Sequence, residues 1–199
     1  MIETVAETGS TNADLLARLT AGERVPEGHW LVAQRQIAGR GRQGREWFDG
    51  AGNFMGSTLV HRGEGDPPSH TLALVAGLAV HETVLPYCPD ASALTLKWPN
   101  DLMYGTAKLC GILLEAQGDS IVVGIGCNLA VAPPVPGRRT IALSEIGPAP
   151  QASITPFSHS FMTAPASIFS IIAPRASSLR CNKTSPSCSA GIRGQSCSR

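Results

Sequence analysis

The chain changes character at residue 150, and that break limits the size of anything it can fold into. All 15 acidic residues of the 199 precede residue 151, whereas 151–199 contains none, together with twelve serines, four prolines and five basic residues (Arg175, Arg180, Lys183, Arg193 and Arg199). The tail therefore carries a net charge of +5, while 1–150, with 11 basic against 15 acidic residues, carries −4. A Ser/Pro-rich stretch whose single apolar cluster is 168–172 buries too little to offset the entropy of ordering it. One folded unit over 1–150 and a low-order tail over 151–199 are expected. Translation in a shifted reading frame produces the same abrupt loss of carboxylates, a hypothesis that resequencing the gene tests.

The acidic balance of 1–150 argues against general nucleic-acid binding. Residues 1–7 lack the basic start and apolar centre of a signal peptide. The longest nearly apolar run, 72–80, is too short to span a bilayer, which leaves a cytoplasmic protein as the expectation. Cys88, Cys110 and Cys127 stand singly and read as reduced, packed thiols, and no Cys-x-x-Cys pair suggests zinc.

Hydrophobic patterning outlines the elements. Ser10-Thr11 followed by Asp14 has capping-box spacing ahead of Leu15, Leu16 and Leu19, with Gly22 closing the helix. A strand over 30–34 leads into a Gly/Arg loop over 39–45, and a second strand over 53–60 is followed by a turn over 63–68. Ser69 is expected to cap a helix over 70–85, apolar on most of its circumference (Leu72, Leu74, Val75, Leu78, Ala79, Val80) and ended by Pro86. Strands over 94–97, 109–116 and 120–125 follow, the last two joined through Gln117-Gly118-Asp119 as an antiparallel hairpin. The fold class predicted is α+β, a mixed and mainly antiparallel sheet with helices on one side.

The loop Gly39-Arg40-Gly41-Arg42-Gln43-Gly44-Arg45 formally matches the dinucleotide fingerprint G-x-G-x-x-G. That fingerprint requires a helix opening at its last glycine, and here a turn and a strand follow instead. Three arginines on glycine-rich backbone suit an anion clamp, since guanidinium forks engage phosphate oxygens bidentately; a solvated basic loop is the alternative. In Lys97-Trp98-Pro99-Asn100-Asp101, Pro99 presents Asn100 and Asp101 from a turn, either toward a metal ion or ribose or as a self-bonding Asx turn. Lys108, ahead of Ile112-Leu113-Leu114, lies at a sheet edge facing a pocket or snorkels over the surface.

Taken together, Ser10-Thr11-Asn12, the 36–47 segment ending in Trp47, Lys-Trp-Pro-Asn-Asp, Lys108-Leu-Cys-Gly111-Ile-Leu-Leu-Glu115 and Gly124-Ile-Gly-Cys-Asn128-Leu resemble the biotin protein ligase family, in register up to about residue 147. The resemblance implies a fold similar to class II aminoacyl-tRNA synthetase cores, ATP with Mg²⁺, biotin as substrate, and a carrier domain of acetyl-CoA or a related carboxylase as partner. It implies catalytic roles for Lys108 and Arg40 at the biotin carboxylate and phosphate. Ser10, Thr11, Gln36, Gly39, Gly111 and Gly124 would join those two in holding biotin. Arg42, Arg45, Trp47, Asn100, Asp101 and Asn128, with Arg40, would hold ATP or the adenylate, with no dedicated metal site beyond Mg²⁺ arriving with ATP near Asp101. A helix-turn-helix ahead of Ser10 and the small C-terminal barrel of the family are not recognisable in the sequence, so 1–150 is expected to be an incomplete catalytic domain without repressor function; a homodimer is compatible with the resemblance. Lipoate or octanoate transfer on the same fold, and a nucleic-acid-binding module, are the alternatives.

Overall fold

The computed structural model describes residues 1–48 and 50–147. The tail expected over 151–199 lies outside the described residues. Seven strands form one sheet in the order β1-β2-β3-β7-β6-β5-β4: β1 Ile2–Thr8, β2 Trp30–Gln36, β3 Phe54–His61, β4 Leu94–Lys97, β5 Asp101–Tyr104, β6 Ala107–Gln117 and β7 Ser120–Cys127. Only β1 and β2 pair in parallel, across the helix α1 (Thr11–Thr20) that joins them; the other pairs are antiparallel. The mixed sheet expected from sequence is thus the fold. The β6–β7 hairpin closes on Gly118-Asp119, with Gly118 at φ +58° and Gln117 opposite Ser120.

The expectation of helices on one side is corrected. Trp30, Val32, Val60, Ile121 and Val123 pack with Ala76, Val80 and Val84 of the second helix, α2 (Leu72–Val84). The alternating neighbours Leu31, Leu59 and Val122 pack instead with Leu15 of α1 and Val25. Successive side chains of a strand point to opposite faces, so α1 and α2 cover opposite faces. The cause lies in β2, β3 and β7, which are apolar without alternation along much of their length and must be buried on both sides.

Three smaller corrections concern caps and burial. The N-cap of α1 is Ser10, whose Oγ accepts from Ala13 N at 3.5 Å, while the Asp14 carboxylate accepts from the Thr8 hydroxyl rather than closing a box. A 3-10 turn, Ser69–Thr71, precedes α2; Ser69 does not cap it, and the Thr71 hydroxyl donates to Pro68 O instead. Leu74 and Leu78 are 52% and 46% exposed rather than core, because the sheet needs only one stripe of α2. A short α3 (Leu143–Ile146) buries Leu143.

Candidate functional site

On the α1 face, the sheet is hollowed by glycine. Gly111 on β6 pairs with Gly126 on β7, and Gly124 stands two residues before Gly126 on the same face. A Cβ at Gly124 would lie 2.1 Å from Asn12 Oδ1, and one at Gly126 would lie 2.3 Å from the Trp47 ring. One at Gly111 would meet Lys108 Nζ at 2.8 Å and Trp47 at 3.0 Å. Any side chain at these positions would fill the space now taken by Asn12, Trp47 and Lys108.

The N-terminus of α1 delivers Ser10, Thr11 and Asn12 to the rim of this hollow, all buried. Thr11 N, an otherwise unpaired donor in the first turn, donates to Gln36 Oε1 at the end of β2 over 2.7 Å. The Thr11 hydroxyl is 2.6 Å from that of Ser57, which donates to Asn12 Oδ1 at 2.6 Å, and Asn12 Nδ2 donates to Glu115 Oε2 at 2.8 Å. The wall is a continuous polar relay set into an apolar sheet.

The Gly/Arg loop folds back as a small hairpin-like clasp. Trp47 N donates to Gly39 O at 2.9 Å, Gly41 N donates to Arg45 O at 2.7 Å, and Arg40 bridges Glu46 across it. Gln43 at φ +61° and Gly44 at φ +70° turn its tip. Arg40, Arg42 and Arg45 are exposed, as the sequence predicts. Arg42 donates to Asn100 Oδ1 at 3.1 Å, latching the clasp to the β4–β5 turn, while Asn100 Nδ2 donates across to Ile112 O at 3.0 Å. Asn100 therefore bonds to β6 and to the clasp in place of an Asx turn. Asp101 opens β5, opposite Lys97 and Gly111.

Lys108 Nζ lies 2.7 Å from Asp101 Oδ1 and 5.5 Å from the centroid of the Trp47 ring, and Arg138 approaches Asp101 Oδ2 at 3.7 Å. The Lys108–Asp101 contact is one of charge: Asp101 Oδ1 accepts no aligned hydrogen bond, and the buried Trp47 Nε1 has no partner among the described residues. With side chains 12% and 14% exposed, both charges are largely withdrawn from water, which strengthens their coupling.

Two cavities meet at this lysine. The first, about 50 Å³, is walled by the polar relay, Arg40 and the glycine floor. The second, about 600 Å³, is bordered by Arg45, Asp101, Asn128 and Arg138. Gly41, Arg42, Trp47, Asn100 and Lys108 line both. The structure thus brings Ser10, Thr11, Gln36, Arg40, Gly111 and Gly124 to the first cavity, and Arg45, Asp101 and Asn128 to the second. Asn128 reaches the second cavity while its Nδ2 donates to Lys108 O and Ile141 O at 3.4 and 3.2 Å. Gly39 contributes its backbone to the clasp. Asn12, Ser57, Gly126 and Arg138 escaped the sequence reading. A serine inside the apolar 53–60 strand and the third residue of Ser-Thr-Asn were the available signals.

Cys110 and Cys127, opposite each other on β6 and β7, face the α2 core. A hydrogen bond with Cys110, then burial, pushes the Cys127 thiol up, so Cys127 does not serve as a nucleophile at ordinary pH.

The chain resembles known proteins along most of the described region. The family model of the biotin/lipoate A/B protein ligases matches residues 8–131. A biotin–[acetyl-CoA-carboxylase] ligase of Paracoccus denitrificans is 42% identical over 134 residues, 65% of this chain and 55% of the relative. One of Mycobacterium tuberculosis is 40% identical over 152 residues, 73% of this chain and 56% of the relative. The chain thus spans about half the length of these relatives. Among solved structures, the biotin protein ligase of Aquifex aeolicus in complex with biotin and ATP superposes with a TM-score of 0.73 at 28% identity, covering 86% of this chain and 71% of that one. The Leishmania major biotin protein ligase with biotin gives a TM-score of 0.71 at 29% identity, covering 87% and 75%. With the match running through the glycine floor and the clasp, the chain belongs to the biotin/lipoate A/B protein ligase family.

Proposed function

We propose that the chain joins biotin to ATP as biotinyl-5′-AMP and passes the biotinyl group to a lysine of a biotin carboxyl carrier domain. The observation that carries this is Lys108, held at the seam between a small polar-walled slot and a larger cavity bordered by arginines. A carboxylate from the slot and a phosphate from the larger cavity would meet at its ammonium.

The first step brings two anions together. At contact distances and the effective dielectric of a partly dried site their repulsion is several kcal/mol, so fixed cations must surround the meeting point. Lys108 and Arg40 take the carboxylate and α-phosphate, and Arg42 and Arg45 on the clasp close over the adenylate. A carboxylate oxygen attacks the α-phosphorus and the α–β phosphoanhydride bond breaks, with pyrophosphate carrying away the negative charge. The carrier lysine's amine then attacks the acyl carbon; the acyl–oxygen bond breaks, AMP leaves, and the amine's proton is lost to solvent or base. A closed clasp also keeps water from the mixed anhydride.

Magnesium is commonly held by one or two carboxylates plus substrate phosphates. Asp101, bordering the larger cavity, fits that single-carboxylate pattern, and no cluster of three metal-binding side chains occurs among the described residues. Asp101 would hold the ion, which supplies charge neutralisation of the triphosphate.

Ligand entry requires a change at Trp47. A slot of about 50 Å³ is far below the roughly 300–1,000 Å³ typical of ligand pockets, and the indole covers the floor at Gly111 and Gly126. Trp47 leaves the floor as the bicyclic ring enters and its unpaired indole N–H gains a partner.

Two relatives named as biotin–[acetyl-CoA-carboxylase] ligases support biotin over lipoate, as does the hydrogen-bonding wall of the slot. Incubation with ATP, Mg²⁺, a carrier domain and equimolar biotin and lipoate, read by mass of the carrier, tests the choice. Addition of the biotinyl mass is expected; addition of the lipoyl mass alone overturns it. No described helix is long and apolar enough to cross a membrane.

A further inference from the structure

Glu115 does not line the substrate slot, yet it dictates which hydrogens the slot can offer. Its carboxylate can only accept, so Asn12 must turn Nδ2 toward it, at 2.8 Å, and present Oδ1 to Ser57. Ser57 must then give its one hydrogen to Asn12 Oδ1, at 2.6 Å, and can only accept from Thr11. Gln36 Oε1 also lies 3.1 Å from the Thr11 hydroxyl, but with the Ser57 hydrogen committed to Asn12 the 2.6 Å Thr11–Ser57 contact needs the Thr11 hydrogen, so Oγ1 has only lone pairs left for the cavity. Independently, Thr11 N fixes Gln36 Oε1 at 2.7 Å, which leaves the Gln36 Nε2 donor beside Gly39 at the cavity wall.

The slot therefore offers an acceptor at Thr11 and a donor at Gln36, the complement of a ring N–H next to a carbonyl. Remove the carboxylate's one-way demand and the relay can reverse: Asn12 Nδ2 donates to Ser57, Ser57 donates to Thr11, and the Thr11 hydrogen is freed to turn to Gln36 Oε1, 3.1 Å away, or into the cavity, so the slot no longer presents a fixed acceptor there. All three relay members between Glu115 and the slot, Asn12, Ser57 and Thr11, are buried, as is Gln36, so water is poorly placed to correct the direction.

We propose that Glu115 is a positioning residue that fixes the donor–acceptor polarity of the slot through Asn12, Ser57 and Thr11, selecting a cyclic ureide. This rests on biotin being the substrate. The test is Glu115→Gln, which keeps shape but can donate as well as accept, alongside Ser57→Ala and the double variant, in the full chain with pyrophosphate release as readout. Glu115→Gln is expected to raise KM for biotin about tenfold, the equivalent of one misdirected hydrogen bond, with kcat, KM for ATP and the melting temperature little changed. Ser57→Ala cuts the relay, so the double variant should be no worse toward biotin than Ser57→Ala alone. A biotin KM unchanged in Glu115→Gln, or effects of the two substitutions that multiply, overturns the proposal while leaving biotin activation standing. Absence of biotin-dependent pyrophosphate release in the unsubstituted chain would instead remove the functional reading and this inference with it.

Discussion

Lys108 Nζ and Asp101 Oδ1 lie 2.7 Å apart at the boundary between the two cavities, with the Trp47 ring centroid 5.5 Å from the ammonium. The pair fixes the position of a cation that the proposed chemistry needs. Lys108→Ala removes the charge meant for the carboxylate and phosphate, and loss of one such preorganised donor typically lowers a rate about 10²–10³-fold. Biotin-dependent pyrophosphate release should fall by at least that much. Arg138 still faces Asp101, so the fold should persist, as circular dichroism would show; normal turnover by a folded variant would rule out the role.

Gly126→Ala probes the floor. Its methyl would stand 2.3 Å from the side chain of Trp47, which can swing away, so the protein should fold. The methyl would still occupy the ring slot. Biotin affinity measured by calorimetry should drop more than tenfold, and wild-type affinity would mean that the ring binds elsewhere.

Trp47 should also report on binding directly. Biotin added to the unsubstituted chain should change tryptophan emission, and Trp47→Phe should remove most of that change, leaving the signals of Trp30 and Trp98. An identical biotin response in Trp47→Phe would show that the indole does not leave the floor.

Acid stability has an identifiable contributor. The Arg18 guanidinium, through two 2.7 Å hydrogen bonds, holds the Glu3 carboxyl below the usual carboxylate range and ties β1 to α1. A folded-state pKa lower than the unfolded one contributes stability above the unfolded value that is lost as pH falls through the folded one. The Glu3 side chain is 35% exposed, so solvent screening keeps the effect small. Glu3→Gln should lower the melting temperature slightly at pH 7 and leave it nearly unchanged below the carboxylate range; an equal loss at both pH values would assign the effect to packing.

The two-faced sheet predicts unequal responses from apolar helix residues. Leu15, fully buried on the sheet-facing side of α1, should cost about 2–5 kcal/mol on truncation to alanine. Leu78, 46% exposed on α2, should change stability by no more than about 0.5 kcal/mol. Urea titrations of both variants decide; equal losses would return Leu78 to the core.

Much of this was legible in the chain because local chemistry and tertiary outcome agree. The β6–β7 hairpin follows from Gly118 between two apolar runs, and the exposure of the clasp from its lack of any apolar period. β1 was missed because its burial alternates only weakly and its identity comes from pairing in parallel with β2. β5, four residues long and starting two positions after Pro99, is too short to show a period and exists through pairing on both edges. The site residues that sequence named are those whose charge or position in a motif is visible. Asn12, Ser57 and the function of Glu115 depend on α1, β3 and β6 converging over Gly124, and nothing in the local sequence encodes that meeting.

The central claim is that Lys108 and the clasp arginines unite biotin and ATP as an adenylate. The most direct measurement is mass-spectrometric detection of biotinyl-5′-AMP after incubating the purified chain with biotin, ATP and Mg²⁺ but no carrier. The account predicts biotinyl-5′-AMP with an equal amount of pyrophosphate, and neither from Lys108→Ala. Adenylate formed equally well by Lys108→Ala, or none formed by the folded unsubstituted chain, would contradict it.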